Sequence, residues 1–314
     1  MSMHLSVADL YDALCDKLAL SWVAGRAGAT RQLRLRRDQP AAVLAGYLNF
    51  IHPTRLSILG STEMRFLRGL DERAREDALQ RLFSRHTGAV IVADAQAIAT
   101  ALKQRADVEA TPLLRTRLPS QYLLGTLQYY LTQLLAEKTI LHGVFMEVMG
   151  IGVFITGSSG VGKSELALEL LSRGHRLIAD DAPEFARLAP DIVSGACPVA
   201  LRDFLEVRGL GLLNVRALYG DSAVKSSKYL RLIVNLEHMT DARLRRLDRL
   251  RGSRRTRKIL GMDVPEITLP VAPGRNLAVL IEAAARNHIL FMKGYDAGDQ
   301  FINDQQALID RDEP

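Results

Sequence analysis

Cysteine is scarce in this chain, which contains two cysteines among its 314 residues. Cys15 and Cys197 lie far apart along the sequence, in no spacing that would hold a metal ion. We therefore expect two free thiols, and neither a disulfide framework nor a zinc site.

Long hydrophobic runs are absent as well. No segment approaches the roughly 18 uninterrupted apolar residues of a membrane span. Asp9, Asp12, Asp16 and Lys17 fall where a signal peptide would be apolar. We expect a cytoplasmic protein without a membrane partner.

Acidic residues are slightly outnumbered, with 35 Asp and Glu against 41 Lys and Arg and a net charge of +6. The excess is concentrated in residues 243–258, which include nine Lys or Arg. Such a run is typical of a solvated loop, of a surface that attracts an acidic protein, or of a nucleic-acid contact. Nucleic acid is the least favoured of the three, because no recognisable nucleic-acid-binding module accompanies the run.

The length predicts two domains, and the fractions of apolar residues (48%) and charged residues (24%) are typical of soluble globular proteins. Pro112 and Pro119 bracket a polar stretch and indicate a boundary. We predict an N-terminal α/β domain over residues 1–118, with a regulatory or assembly role, and a catalytic domain over residues 119–314. Within the first domain, residues 90–92 are predicted to form a strand and residues 95–103 a helix.

A leucine-rich segment follows Pro119. Ser120 is placed to cap a helix, and apolar residues then recur at spacings of three and four up to Leu135. We predict that this helix joins the domains and packs on the second one.

The strongest chemical motif lies between the predicted strand 152–156 and the predicted helix 165–172. It matches the pattern G-x-x-x-x-G-K-S of a phosphate-binding P-loop. Its residues are Gly157, Ser158, Ser159, Gly160, Val161, Gly162, Lys163 and Ser164. Backbone N–H groups of such a loop converge on phosphate oxygens, the lysine reaches the β and γ phosphates, and the serine hydroxyl binds Mg²⁺.

Polar residues at three other places are candidates for the same site. Asp180 and Asp181 end an apolar run, where a neighbouring strand would bring them beside the phosphates, although such a pair also serves as a turn or helix cap. His142 is isolated, and a packed or surface histidine is the alternative. Glu206 and Arg208 share one side of a predicted strand, where a surface ion pair is the alternative.

A P-loop beside an acidic pair predicts phosphoryl transfer from ATP, with two rivals. One is a P-loop kinase or ATPase that acts on a small molecule. The other is a nucleotide-sensing protein that binds nucleic acid through residues 243–258, although such a protein would not need Asp180 and Asp181.

Five segments together resemble the HPr kinase/phosphorylase family in order and spacing. They are residues 139–144, the P-loop, and residues 175–181, 205–214 and 270–276. Further similarity at residues 46–50, 55–60 and 111–116 extends the resemblance over nearly the whole chain. It implies an α/β fold in which a P-loop kinase domain, resembling the nucleotide-binding core of phosphoenolpyruvate carboxykinase, follows the N-terminal α/β domain.

The resemblance also implies an activity. Members of this family are bacterial enzymes that use ATP to phosphorylate a serine of HPr, the small carrier protein of the sugar phosphotransferase system. They also remove that phosphate by phosphorolysis, in which inorganic phosphate is consumed and pyrophosphate is formed. The resemblance further implies Mg²⁺ as cofactor and a homohexamer.

Site residues are carried over from the family by position. The catalytic set comprises His142, Lys163, Asp180, Asp181 and Arg249, and the Mg²⁺ ligands are Ser164 and Glu206. Asp181 is expected to handle the proton, with Asp180 beside it at the phosphate or metal. The kinase/phosphorylase signature consists of Leu205, Glu206, Val207, Arg208, Gly209, Leu210, Gly211, Leu212, Leu213 and Asn214. The segment associated with dephosphorylation consists of Pro270, Val271, Ala272, Pro273, Gly274 and Arg275.

The sequence departs from the family pattern in three places. Ser158 replaces a common acidic residue in the P-loop, Ala272 stands where many members have arginine, and residues 251–258 are unusually basic. Ala272 lies in the segment associated with dephosphorylation. We therefore expect it to affect dephosphorylation more than phosphorylation.

Overall fold

The computed structural model describes residues 2–3, 5–33, 35–36, 40–239, 253–272 and 274–312. The chain forms two compact units, Met1–Ala136 and Glu137–Pro314. Both units combine helices with β-sheets, so the predicted mixed α/β class is confirmed. Among the described residues, no helix has the length and apolar character that crossing a membrane requires.

The first unit is built on a five-stranded sheet. In chain order its elements are β1 (Ser2–Met3), α1 (Val7–Leu18), β2 (Ser21–Ala24), β3 (Leu35–Arg36), α2 (Ala41–Leu44), β4 (Ala45–Tyr47), β5 (Leu56–Leu59), α3 (Ser61–Gly69), α4 (Glu72–Leu82), β6 (Ala89–Val92), α5 (Thr100–Val108), β7 (Leu113–Arg115) and α6 (Ser120–Leu135). The strand order is β2-β7-β6-β5-β4, and β4 to β7 run parallel. Strands β1 and β3 pair separately.

Strand β6 confirms the strand predicted at residues 90–92. Ala89 and Ile91 belong to the core on one face of the sheet, and Val90 and Val92 to the core on the other face. The helix predicted at residues 95–103 begins only at Thr100. Asp94 and Ala95 have φ values of +56° and +52°, and a right-handed helix cannot include this conformation.

Helix α6 belongs to the first unit, and the compact units therefore divide after Ala136 rather than after residue 118. Its leucines at four-residue spacing are buried in the core formed with α1 and the sheet. Ser120 is the first residue of the helix and makes no side-chain cap, so the predicted capping role is wrong. Its backbone N–H is satisfied instead by Asp94.

Asp94 serves two helix N-termini at once. Its Oδ2 accepts a hydrogen bond from the N–H of Ser61 (2.8 Å) and its Oδ1 from the N–H of Ser120 (2.6 Å). Burial by itself would raise the pKa of this carboxyl, but the hydrogen bonds from Ser61 and Ser120 outweigh it and hold the pKa below its usual value. The ionised form of Asp94 therefore stabilises the starts of α3 and α6.

Replacing Asp94 with asparagine is expected to lower the free energy of unfolding by about 1 to 2 kcal/mol, because an amide offers one acceptor oxygen and no charge to the two helices. The folded-state pKa lies below the unfolded one, so the stabilisation is complete above the unfolded pKa and is lost as the pH falls through the folded pKa. Urea unfolding followed by the fluorescence of Trp22, the one tryptophan of the chain, measures the difference at neutral and acid pH.

Asp77→Asn on the exposed face of α4 is the matched control and should unfold like the unaltered chain. Equal stability of Asp94→Asn and the unaltered chain at neutral pH would contradict the assignment. A difference that grew on acidification would contradict it as well, because the carboxylate contributes only when it is ionised.

The second unit is built on a nine-stranded mixed sheet. In chain order its elements are β8 (Glu137–Ile140), β9 (Val144–Val148), β10 (Ile151–Gly157), α7 (Lys163–Ser172), β11 (Arg176–Ala179), β12 (Glu184–Ala189), β13 (Ile192–Ala196), β14 (Phe204–Val207), β15 (Gly211–Asn214), α8 (Val215–Tyr219), β16 (Ser227–His238), β17 (Arg254–Ile259), β18 (Met262–Val271), α9 (Leu277–Met292) and α10 (Ala297–Asp312). The strand order is β11-β9-β10-β16-β13-β12-β8, with β18 beside β16 and β17 beside β18.

Three parallel strands, β10, β16 and β18, lie next to one another in this sheet. Their carboxyl ends share one edge, and the P-loop leaves β10 at that edge. Helices α7 and α9 cover one face of the sheet, while a cluster of Phe145, Phe154 and Phe185 fills the other. The rings of Phe145 and Phe154 lie 5.2 and 5.0 Å from that of Phe185, in edge-to-face geometry.

An ionic contact ties the end of α7 to α9. Glu282 accepts hydrogen bonds from Nη2 of Arg173 (2.7 Å) and lies 2.9 Å from Nε2 of His175. The hydrogen bonds from Arg173 and His175 lower the pKa of Glu282 to about 2. The carboxylate therefore stays ionised at neutral pH, which keeps the helix that follows the P-loop in place.

Candidate active site

The P-loop connects the end of β10 to the start of α7, as the sequence predicts. Gly157 has a φ of +146°, and a Cβ at this position would come 2.5 Å from the carbonyl oxygen of Leu236 on β16. Gly162, directly before the helix, has a φ of +97°. Only glycine adopts both conformations readily. Val161 is buried in the core and anchors the loop between them.

Lys163 closes the loop on itself in this conformation. Its Nζ donates hydrogen bonds to the carbonyl oxygens of Gly157 (3.1 Å) and Ser158 (3.0 Å). The ammonium group thus lies at the rim of the loop, among the residues that line the adjacent cleft. It can exchange carbonyl partners for phosphate oxygens without any change in the core.

The cleft beside the P-loop has a volume of about 280 Å³. It gathers residues from the β8–β9 turn, the P-loop, the end of β11 and strand β14. The lining residues are His142, Gly143, Ser159, Gly160, Gly162, Lys163, Ser164, Glu165, Asp180, Asp181, Glu206 and Arg208. Eight of the predicted site residues other than the loop's glycines therefore meet in one place, although the P-loop and Glu206 are far apart in the sequence.

Glu165 lines the cleft and was not among the predicted residues. It occupies the first turn of α7, where a carboxylate faces the positive end of the helix dipole. Its position next to Ser164 in the motif is the signal that could have identified it.

Asp180 and Asp181 differ in environment although they are adjacent. Asp180 is buried, and its Oδ2 accepts a hydrogen bond from the N–H of Glu206 (2.9 Å). Burial raises the pKa of Asp180, against the opposing effect of the hydrogen bonds from Glu206 and Asp181. Asp181 has a φ of +64°, a conformation that turns the chain sharply and leaves its side chain exposed.

His142 and Asp181 form a pair in the cleft, with 3.1 Å between Nδ1 and Oδ1. Two backbone contacts hold their segments together: the N–H of Gly143 donates to the carbonyl of Asp181 (3.1 Å), and the N–H of Leu141 to that of Pro183 (3.2 Å). The side chains are 70% and 68% exposed, so the pair contributes little to stability. It is open to a reactant entering the cleft.

Strand β14 presents Glu206 to the cleft, because Leu205 and Val207 alternate with it and are buried. Arg208 follows directly, and its Nη1 lies 3.6 Å from the point that a Cβ of Gly160 would occupy. Among the described side chains, no ion pair joins Glu206 to Arg208. The arrangement therefore differs from the surface ion pair that was the alternative.

The donor atoms of the cleft suit Mg²⁺. Ser164, Asp180, Asp181 and Glu206 offer hydroxyl and carboxylate oxygens, which are the ligands that this cation prefers. Within the described parts of the chain, no group of three or more His, Cys, Asp or Glu side chains could hold a metal ion alone. Phosphate and water would have to supply the other ligands, as is common at phosphoryl-transfer sites.

Two predicted site residues, Arg249 and Pro273, lie outside the described residues. Pro270 and Val271 end strand β18 opposite Glu237 and His238 of β16, so the dephosphorylation-associated segment starts at the edge of the sheet that carries the P-loop. Its described members, Ala272 and Arg275 included, do not line the cleft. The signature residues form the antiparallel hairpin β14–β15.

Comparisons with known proteins agree with the resemblance. A family model described as "HPr Serine kinase N terminus" matches residues 5–131, and one described as "HPr Serine kinase C-terminal domain" matches residues 133–305. Proteins named HPr kinase/phosphorylase from Stenotrophomonas maltophilia (strain K279a) and Xanthomonas campestris pv. campestris (strain B100) are 48% identical to this chain over 318 and 316 residues, which cover 100% of both chains in each case.

A solved structure of the HPr(Ser) kinase/phosphatase from Coxiella burnetii is also similar. It is 36% identical in sequence, covers 52% of this chain and 98% of its own, and has a TM-score of 0.46. The two family models and the full-length relatives are sufficient for the assignment: the chain belongs to the HPr kinase/phosphorylase family.

Proposed function

We propose that this protein transfers the γ-phosphoryl group of ATP to a serine of HPr and removes it again by phosphorolysis, with pyrophosphate as product. The observation that carries the proposal is the cleft, in which a P-loop, an acidic pair and Glu206 meet. Relatives that bear the name HPr kinase/phosphorylase match the chain over its whole length, which supports HPr as the acceptor.

Nucleotide binding is assigned to the P-loop and α7. The N–H groups of the loop and the N-terminus of the helix form a site for phosphate oxygens. Lys163 would move from the loop carbonyls to the β and γ phosphates, and Arg208, which lies next to Gly160, brings a second positive charge. Ser164 and Glu206 would hold Mg²⁺, which supplies positive charge to the phosphate oxygens when bound.

Asp181 is assigned the proton transfer. In the kinase direction it accepts the proton of the serine hydroxyl as the serine oxygen bonds to the γ-phosphorus and the bond to ADP breaks. His142, with its Nδ1 3.1 Å from Oδ1 of Asp181, orients the carboxylate. In the reverse direction inorganic phosphate attacks phosphoserine, and Asp181 returns the proton to the leaving serine oxygen.

Asp180 is assigned a positioning role. It is buried and fixed to the backbone of Glu206, so it holds the β14 hairpin against the end of β11. Arg249 is retained as a catalytic residue on the family resemblance. The proposal also includes the carboxykinase-like nucleotide core, a homohexamer, a cytoplasmic location, and a regulatory or assembly role for the N-terminal domain.

The direct test is incubation of the purified chain with ATP, Mg²⁺ and HPr, followed by mass spectrometry that identifies the modified residue. Phosphoserine on HPr is the expected product, and HPr with that serine replaced by alanine is the control. Phosphate released to water, with HPr unmodified, would identify an ATPase instead. Phosphate found on a small molecule would identify the rival kinase.

Phosphorolysis is expected to persist despite Ala272. Gly274, with a φ of +77°, keeps the turn of this segment, and Arg275 keeps one guanidinium group for a phosphate. Serine-phosphorylated HPr supplied with millimolar inorganic phosphate and Mg²⁺ should therefore yield pyrophosphate. Absence of pyrophosphate from a preparation that phosphorylates HPr well would show a kinase alone. Ala272→Arg is then the informative variant, because it would restore the reaction if the missing guanidinium were the cause.

A further inference from the structure

The hairpin β14–β15 carries more exposed apolar surface than its folding requires. On its inner face Leu205 and Val207 are buried, and Leu213 packs against the same core. On its outer face Leu212 is 66% exposed, and Leu210 in the turn is 65% exposed. The outer face of a hairpin that covers a core is commonly polar, so two leucines on this face are free to contact another molecule.

Other exposed apolar side chains lie near these leucines along the chain. Phe204, Leu210, Leu212, Leu218 and Tyr219 are all exposed, and they lie within one hairpin and the short helix that follows it. We call these five residues the hairpin patch. Contiguous apolar residues at the surface of a soluble protein mark interaction sites more often than isolated ones do.

The hairpin patch adjoins the catalytic cleft. Leu212 pairs with Glu206 across the two strands, and residues that pair in this way project from the same face at a separation of about 5 Å. Glu206 and Arg208 line the cleft. A protein whose serine hydroxyl enters the cleft must therefore cover the surface around Leu212.

We propose that the hairpin patch is the docking surface for the protein substrate, and that it accepts an apolar area next to the phosphorylated serine. This inference rests on the proposed function. It assigns the two halves of the signature segment different tasks: Glu206 and Arg208 face the phosphates, and Leu210 and Leu212 face the protein that receives them. The glycines at 209 and 211 have φ values of +88° and +84°, which allow the turn to present Leu210 outward.

The test is a comparison of Leu212→Ser with Leu290→Ser in the full chain. Leu290 is a leucine of α9 that is 44% exposed and lies outside the hairpin patch, so it is the matched control. Leu212→Ser should raise the apparent KM for HPr by about tenfold or more, the factor expected when a leucine loses its burial at an interface. The KM for ATP should change by less than about twofold, because Leu212 does not line the cleft.

The outcomes are separable. Failure of the unaltered chain to phosphorylate HPr would overturn the proposed function before any variant is compared. If the unaltered chain is active, an unchanged KM for HPr in Leu212→Ser would overturn the docking surface. An equal rise in Leu290→Ser, or an equal rise in the KM for ATP, would overturn it too. A fall in oligomeric mass by light scattering, with the KM for HPr unchanged, would show instead that the patch joins copies of this chain.

Discussion

Lys163→Ala is expected to lower phosphoryl transfer to HPr by about a thousandfold or more, the scale on which preorganised positive charge acts at such sites. The only hydrogen bonds that the side chain of Lys163 makes among the described residues are to two carbonyl oxygens of its own loop. Its removal therefore takes charge from the phosphate site without taking any group from the core. The rate of phosphorylation and the affinity for ATP should both fall, while circular dichroism and the melting temperature stay unchanged.

Lys293→Ala is the matched control, because Lys293 is an exposed lysine at the end of α9, away from the cleft. It should phosphorylate HPr at the rate of the unaltered chain. A Lys163→Ala variant that keeps its activity and its fold would remove the P-loop from the mechanism.

Asp181→Asn is expected to lower both the kinase and the phosphorolysis rates by about a hundredfold or more, as is usual when a general acid–base group is lost. The asparagine keeps the size of the side chain and can still contact Nδ1 of His142, but it cannot accept the serine proton. The affinity for ATP should change little. Initial rates in both directions, with nucleotide binding measured separately, check the prediction.

Two variants show whether the effect belongs to this aspartate. Asp191→Asn replaces an exposed aspartate in the β12–β13 turn and should be fully active. Asp180→Asn removes a buried carboxylate that holds the backbone of Glu206, so it should lower stability along with activity. If Asp181→Asn lost ATP binding, Asp181 would be assigned to the metal site instead of to proton transfer. Loss of one direction only would contradict a shared acid–base group.

Much of the candidate site could be predicted from the sequence, because its chemistry depends on short segments. The P-loop needs glycine at Gly157 and Gly162 for backbone reasons that act within a few residues, and the structure has positive φ values at both. The family resemblance pointed to His142 and to the pair Asp180–Asp181, and the fold brings all three residues to one cleft. The family models and the full-length relatives confirm the family itself.

Local pattern was less reliable where a distant residue decided the outcome. Residues 95–103 have a helical composition, yet the helix begins only at Thr100, because Asp94 and Ala95 adopt positive φ values. The carboxylate of Asp94 accepts hydrogen bonds from the distant N–H groups of Ser61 and Ser120. Helix α6 has an apolar stripe that could face either unit. It packs on the core of the first unit. The first unit therefore extends to Ala136, beyond the boundary predicted at residue 118.

The sequence by itself determined the P-loop motif, the acidic pair and the family, since each rests on residues that are neighbours in the chain. Only the tertiary structure decided how the surroundings of the two aspartates differ. Asp180 is buried and its carboxylate accepts a hydrogen bond from the backbone of Glu206, 26 residues away, whereas Asp181 is exposed beside His142. Every residue except proline has the same backbone N–H group. The sequence therefore cannot predict which distant carboxylate a given N–H will bind.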